Sequence, residues 1–430
     1  MRKKLNVSTL FILSFVSLVA RDEYKDKSWG VGVVGRTDSI PYKYEDINDE
    51  MVNNFIPLYY YENRYIYMHG LDYGAKIFSD DKFQFSLLGR IRLLSIPKEL
   101  QNDIQGDSLD YGLKGRYFIR DNQYVDLEML NNSNDGSLIN LKYSSDLIYS
   151  DLYISPYANF SFKDSTFNRA YYGQDIEHID GEYDITAGFD MKYHIYSNFY
   201  LLAGASATYL GDDIRNSNII EDDFAYSLNA GIAILNEKDR EFFSVDGMRP
   251  YLRVAQGFAT VSNLSDISTG NSESDEYNNQ FTSIFYGLPI YNNLFNLPLE
   301  VYLSSGLAHH YSSEVQDNIL EGDFEFKLYY TLPMEILDIR FGLGEGLSYV
   351  SEVTYIEMLD GEDKGYEMSK LNFFLDLSAD VNLDFIGDDF NNLWLGLAVH
   401  HRSSVFETSS LFGRIKGGSN YNSLYLQWHF

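Results

Sequence analysis

The sequence predicts an all-β protein made of transmembrane antiparallel β-barrels, about 12 strands followed by about 8. Three observations predict it. Segments in which apolar and polar residues alternate with a period of two recur about every 15 to 25 residues, as strands with one face in hydrocarbon require. Beyond the first residues, no stretch approaches the roughly 18 uninterrupted apolar residues of a membrane helix. Only helices and closed barrels satisfy every backbone group in lipid, so strands must do the spanning. Lastly, aromatics reach 16%, with 37 Tyr and 29 Phe, while Pro is scarce at 8 and Cys is absent. Without disulfides, closed strand pairing must hold the chain together.

The amino terminus opens with Arg2, Lys3 and Lys4, followed by the apolar run Leu10–Val19 and then Ala20 and a charged stretch. That run is too short to cross a bilayer, and residues 1–20 read as a secretory signal peptide. The first strand is expected at Trp29–Gly35. Phe55–Glu62 and Arg64–His69 follow, joined tightly around Asn63. Phe83–Leu93, Tyr111–Ile119, Tyr124–Leu130, Ser137–Tyr143 and Leu152–Phe162 come next. In Tyr183–Tyr196 the residues Ile185, Ala187, Phe189, Met191, Tyr193 and Ile195 face one way, with Asp184, Thr186, Asp190, Lys192 and His194 on the other side. Ser197-Asn198 turns the chain into Phe199–Leu210, and Phe224–Leu235 follows. Short turns alternate with the acidic insertions Asp164–Gly181 and Gly211–Asp223, the asymmetry of a barrel with short periplasmic turns and long outer loops.

Asn236–Gly247 is charged and weakly patterned, and a boundary is placed there. Residues 21–236 would form one barrel, 237–248 a linker and 249–430 a second, eight-stranded barrel. The strands of the second half are Tyr251–Val261, Phe281–Tyr291, Leu299–Tyr311, Asp323–Leu332, Arg340–Ser351, Leu371–Phe385, Leu393–Ser404 and Asn420–Phe430. One single barrel of about 20 strands is the alternative; the weakly patterned stretch between a set of about 12 and a set of about 8 favours two. In the last strand Leu424, Leu426, Trp428 and Phe430 share a face, and its partner in a closed barrel is that barrel's first strand. The formal net charge of −30 argues against nucleic acid, and a barrel of this kind would have outer-membrane lipid and lipopolysaccharide as partners.

Several of these stretches resemble the MipA/OmpV family of outer-membrane barrels. They are Trp29–Gly35, the Pro-containing aromatic strand from Phe55 to Tyr61, Ala170-Tyr171-Tyr172-Gly173, and the hairpin Ile185–Leu210 with Gly188, Leu202, Gly204 and Tyr209. The resemblance implies residence in the outer membrane of a Gram-negative bacterium. It also implies a scaffolding or interaction role without catalysis, with a periplasmic murein synthase and transglycosylase as partners. A terminal Phe on an alternating strand is likewise similar to the assembly signal of bacterial outer-membrane proteins.

Residues 249–430 resemble a small outer-membrane barrel of the lipid A deacylase (PagL) type in one local feature, His401-Arg402-Ser403. Leu393, Leu395, Leu397 and Val399 form the apolar face of that strand, and His401 and Ser403 continue it at the outer rim. Acyl-ester hydrolysis there needs an imidazole to take the serine proton, a third group to orient the imidazole, and donors for the oxyanion. The resemblance implies a carboxylate from the last strand. Asn420 and Asn422 stand in that region instead, so the candidate catalytic set is His401, Ser403 and Asn420, with Glu407 as a substitute carboxylate. A rim cluster that hydrogen-bonds head groups is the competing reading, and it carries the greater weight.

Other constellations point to internal structure. His309-His310 together with His400 or His401 lacks the spacing of a tetrahedral set, so no metal and no cofactor is expected. Arg90, Arg92 and Arg116 would pair with inward acids or tune a pore. Gly342, Gly344 and Gly346 read as relief at a tight bend. Three functions thus compete: a structural or interaction barrel first, a lipid A acyl-ester hydrolase second, a passive pore third.

Overall fold

The computed structural model describes residues 28–43, 51–93, 95, 108–132, 136–236, 245–292, 294–334, 337–364, 370–403 and 418–430. The expected signal peptide, most of the expected linker and Glu407 lie outside them.

The first half is a meander. It comprises β1 (Ser28–Ser39), β2 (Met51–Glu62), β3 (Ile66–Gly70), β4 (Asp72–Ser79), β5 (Phe83–Arg92), β6 (Ser108–Arg120) and β7 (Gln123–Asn132). It continues through β8 (Gly136–Ser145), β9 (Leu147–Tyr149), β10 (Leu152–Lys163), β11 (Glu182–Tyr196), β12 (Phe199–Tyr209) and β13 (Phe224–Asn236). The short β9 pairs with one end of β10 while β8 pairs with the other, so the wall has twelve strands. It closes on itself, since β1 pairs with β13 from Trp29↔Asn236 to Asp38↔Ser227.

The second half comprises β14 (Tyr251–Thr260), β15 (Gln280–Tyr291), β16 (Leu299–His310), β17 (Ile319–Leu332), β18 (Ile339–Val350), β19 (Leu371–Asn382), β20 (Leu393–Ser403) and β21 (Gly418–His429). These eight strands also close, β14 against β21 from Tyr251↔His429 to Thr260↔Asn420. Two closed barrels therefore replace the alternative of a single large one.

Local chemistry explains the turns. Asn63 Oδ1 accepts from the backbone N–H groups of Tyr65 and Ile66, which folds β2 back onto β3. Ser197, at φ 51°, makes the tight turn between β11 and β12, and Asn198 Nδ2 donates to the Leu235 carbonyl on β13. The pattern reading missed β4. Its partner β3 spans only five residues, and the register shift between Lys76 and Phe78 breaks the alternation of Asp72–Ser79.

Period two decides what each face meets. On β21 Leu424, Leu426 and Trp428 are exposed on the outside, whereas Tyr421, Ser423, Tyr425 and Gln427 are buried inside. The first interior carries a ladder of ion pairs. Arg90 holds Asp72 through Nε and Nη2, both at 2.7 Å, and Glu128 at 2.9 Å; Arg92 holds Asp110 and Arg116 holds Asp126. The expected arginine ladder is thus internally paired.

The second interior is filled in layers. Arg340 grips Asp380 through two bonds of 2.9 and 2.7 Å at one end. In the middle, Asp376 accepts from Arg253 at 2.6 Å and from Lys327 at 2.7 Å. Gly342, Gly344 and Gly346 face this lumen: a Cβ on Gly344 would lie 1.7 Å from Glu325 Oε2, and one on Gly342 2.3 Å from Ser378 Oγ. Their small size makes room for charged neighbours, which corrects the expectation of a tight bend. At the far end the helix Tyr355–Lys364 enters the mouth, with Ile356 among Ala259, Phe281, Ala308 and Tyr421. Glu357 on the same helix accepts from Arg402 Nη1 at 2.5 Å.

Candidate functional site

The candidate residues sit where β20 leaves and β21 re-enters the barrel wall. Along β20 the inward residues Trp394, Ala398, His400 and Arg402 are buried, and Leu395 and Leu397 on the outward parity are exposed. His401 and Ser403 share that outward parity and are half-buried. Register sets His401 opposite Asn420 and Ser403 opposite Gly418.

The pairing with Asn420 is chemical as well as positional. Asn420 Nδ2 donates to the Ser262 carbonyl at 2.9 Å, an arrangement that turns Oδ1 toward His401. His401 Nδ1–H donates to Asn420 Oδ1 at 2.6 Å. The amide orientation therefore fixes the imidazole tautomer, with the proton on Nδ1 and the lone pair on Nε2. Asn420 is itself buried, because the segment beginning at Ser262 covers it.

Ser403 follows His401 by two residues on the same face, about 7 Å along the strand between Cα atoms. Gly418 keeps the strands close there: a Cβ on it would stand 2.4 Å from the Arg402 carbonyl and 3.2 Å from His401 Cε1. Two participants were beyond sequence reasoning. Ser262 offers only a backbone carbonyl, which no side-chain pattern signals. Gly418 carries its meaning only once its register with Ser403 is known. Asn422, on the same parity as Asn420, donates to Ser272 Oγ at 2.7 Å.

The histidine pairs divide by face. His309 stacks edge-on against Tyr311 on the outward side, with ring centroids 5.2 Å apart. His310 and His400 point inward and meet at Glu321, His310 Nε2 at 2.6 Å from Oε2 and His400 Nε2 at 3.1 Å from Oε1. Sequence spacing could not unite them, since β16, β17 and β20 bring them together only on closure of the barrel.

Residues 30–235 match the family described as MltA-interacting protein MipA. The match runs from the first strand of the twelve-stranded wall to its last. The first barrel thus carries the whole of the MipA-family match. It is an outer-membrane barrel, and the chain carries a second barrel after it.

No curated protein matches the chain in sequence. Among solved structures, the outer membrane enzyme PagL is similar to 42% of this chain over 99% of its own, with 12% identity and a TM-score of 0.29. A bacterial polysaccharide outer membrane secretin is similar to 95% of this chain over 100% of its own, with 8% identity and a TM-score of 0.24. OprB of Pseudomonas putida, in its high-pH structure, is similar over 97% of this chain and 96% of its own, with 10% identity and a TM-score of 0.23. The first two are outer-membrane proteins by name. The closure of the two sheets is read from strand register, independently of these likenesses.

Proposed function

We propose that the chain resides in the outer membrane of a Gram-negative bacterium as a structural or interaction protein, its MipA-family barrel holding partners of the cell envelope. The family match across the whole twelve-stranded wall carries this reading. The packed second lumen agrees with it: Lys327, Arg402, Glu321 and Asp323 are all fully buried there, which leaves little room for a solute. A periplasmic murein synthase and a transglycosylase are the partners to try first. Affinity capture of the full chain from detergent extracts, with those enzymes as prey, should co-elute at least one of them. Their consistent absence under mild detergent removes the reading.

A second reading is supported by the hydrogen bond between His401 and Asn420: an acyl-ester hydrolase acting on lipid A at the rim of the second barrel. In it, His401 Nε2 takes the proton of Ser403 Oγ, and the oxygen attacks the ester carbonyl. The alcohol leaves with that proton, and water then releases the fatty acid from the acyl-serine. An amide orients the imidazole but supplies no charge to stabilise an imidazolium, so turnover would lie orders of magnitude below that of a triad completed by a carboxylate. Mass spectrometry of lipid A from cells carrying the wild-type chain or His401→Ala decides. Loss of a deacylated species in the variant supports hydrolysis, and identical acylation returns the rim cluster to a structural role. A passive pore, the third reading, would have to run through the first barrel, and single-channel conductance of the purified chain tests it.

A further inference from the structure

At the helix-covered end of the second lumen, the charges are out of balance. Glu321, Asp323 and Glu357 are fully buried there, and the one guanidinium among them is that of Arg402. Arg402 is committed elsewhere: Nη1 donates to Glu357 at 2.5 Å, and Nη2 to the Lys370 carbonyl, while its Nε is 3.5 Å from Glu321 Oε1. One layer deeper the formal charges balance, Asp376 and Glu325 against Arg253 and Lys327, with Asp376 holding both cations and the Glu325 oxygens also lacking a hydrogen bond. The excess of negative charge is therefore local to the layer around Glu321.

Asp323 is the group this excess leaves stranded. Both of its oxygens are buried without a well-formed hydrogen bond, with Ser348 and Glu321 as the polar groups next to them. A carboxylate taken out of water without donors is among the most expensive arrangements a protein interior can hold. Two neighbouring groups complete a donor set. Asp323, Glu321 and His400 each present a ligand atom, and the three lie within 4.8 Å of one another. His310 holds the other oxygen of Glu321 at 2.6 Å, while Phe281 and Phe374 fix the His400 ring at centroid distances of 4.7 and 4.6 Å.

We propose that Glu321, Asp323 and His400 bind one divalent transition-metal ion inside the second barrel, with His310 orienting Glu321. Two carboxylates and one imidazole form an N/O set of the kind Zn2+ accepts. Two positive charges neutralise the surplus that Arg402 alone leaves. The ion would then act as a structural clasp between β17 and β20, strands that are not neighbours in the wall.

The test is refolding of the full chain from urea into detergent with Zn2+ or with EDTA, followed by desalting and metal analysis by mass spectrometry. One Zn2+ per folded chain is expected. Asp323→Asn should lower its affinity by more than about 100-fold, since a ligand is worth more than the outer partners whose loss costs 10 to 100-fold. His309→Gln, on the outward face, should retain the full complement. Folded wild-type chain devoid of Zn2+, or equal retention by Asp323→Asn, overturns the proposal. Should that variant fail to fold, Co2+ refolded into the wild type decides alone. Visible ligand-field bands of an imidazole–carboxylate site uphold the proposal, and the spectrum of aqueous octahedral Co2+ contradicts it.

Discussion

The two barrels use the same device, charged side chains turned inward, under different solvation. In the twelve-stranded barrel the arginines of the ladder keep contact with water: Arg90 is 26% exposed and Arg116 23%, and the inward Asp190 is exposed outright. In the eight-stranded barrel Arg340, Arg402 and Lys327 are at most 1% exposed. Strand number explains the contrast. Eight strands enclose a lumen that side chains just fill, and each added strand widens it. Ion pairs of one type thus act as a screened lining in the first barrel and as dry packing in the second.

That difference predicts a ranking of effects. Asp380→Asn should be the most damaging, because it leaves the Arg340 guanidinium and the Tyr425 hydroxyl facing a neutral amide in a dry interior. A loss of about 3–5 kcal/mol is expected, read from the urea midpoint at which the folded barrel loses its fast-running gel band. Gly344→Val comes next. Its side chain would collide with Glu325 and Lys327, and overpacking of that kind costs about 1–3 kcal/mol in the same assay. Arg116→Gln should be the mildest: Arg116 is partly exposed and the buried Asp126 keeps the Lys114 ammonium at 3.0 Å, so about 0–1 kcal/mol is expected, shrinking as salt is added. An Arg116→Gln loss as large as that of Asp380→Asn would erase the contrast between a wet and a dry lumen.

Much of the wall was legible in the sequence, because period two is a local property. The faces of Leu393–Ser403 and Tyr421–Phe430 could be assigned from parity, and so could the outward placement of His401 and Ser403. The pairing of His401 with Asn420 was within reach for the same reason, since both residues stand at the rim end of adjacent strands. Charge chemistry inside the lumen was out of reach. Glu321 meets His400 across a separation of 79 residues, and nothing in either strand alone marks the other as its partner. Gly342, Gly344 and Gly346 were visible, but their purpose depends on Glu325 and Lys327 from the neighbouring strand. β4 was lost because a register shift between Lys76 and Phe78 puts Ile77 and Phe78 side by side and cuts the alternation short.

Separate closure of the two walls is the claim on which the rest depends, and the absence of cysteine makes it directly testable. Val33 stands opposite Ile232, and Val254 opposite Leu426, as register partners in antiparallel strands. Such partners lie about 4.5–5.5 Å apart between Cα atoms, within reach of a disulfide. Oxidation of the full chain in its membrane should cross-link Val33→Cys to Ile232→Cys and, in a second variant, Val254→Cys to Leu426→Cys. A cross-link between Val33→Cys and Leu426→Cys, with neither of the others, would mean that the first strand closes on the last and that the chain is one large barrel.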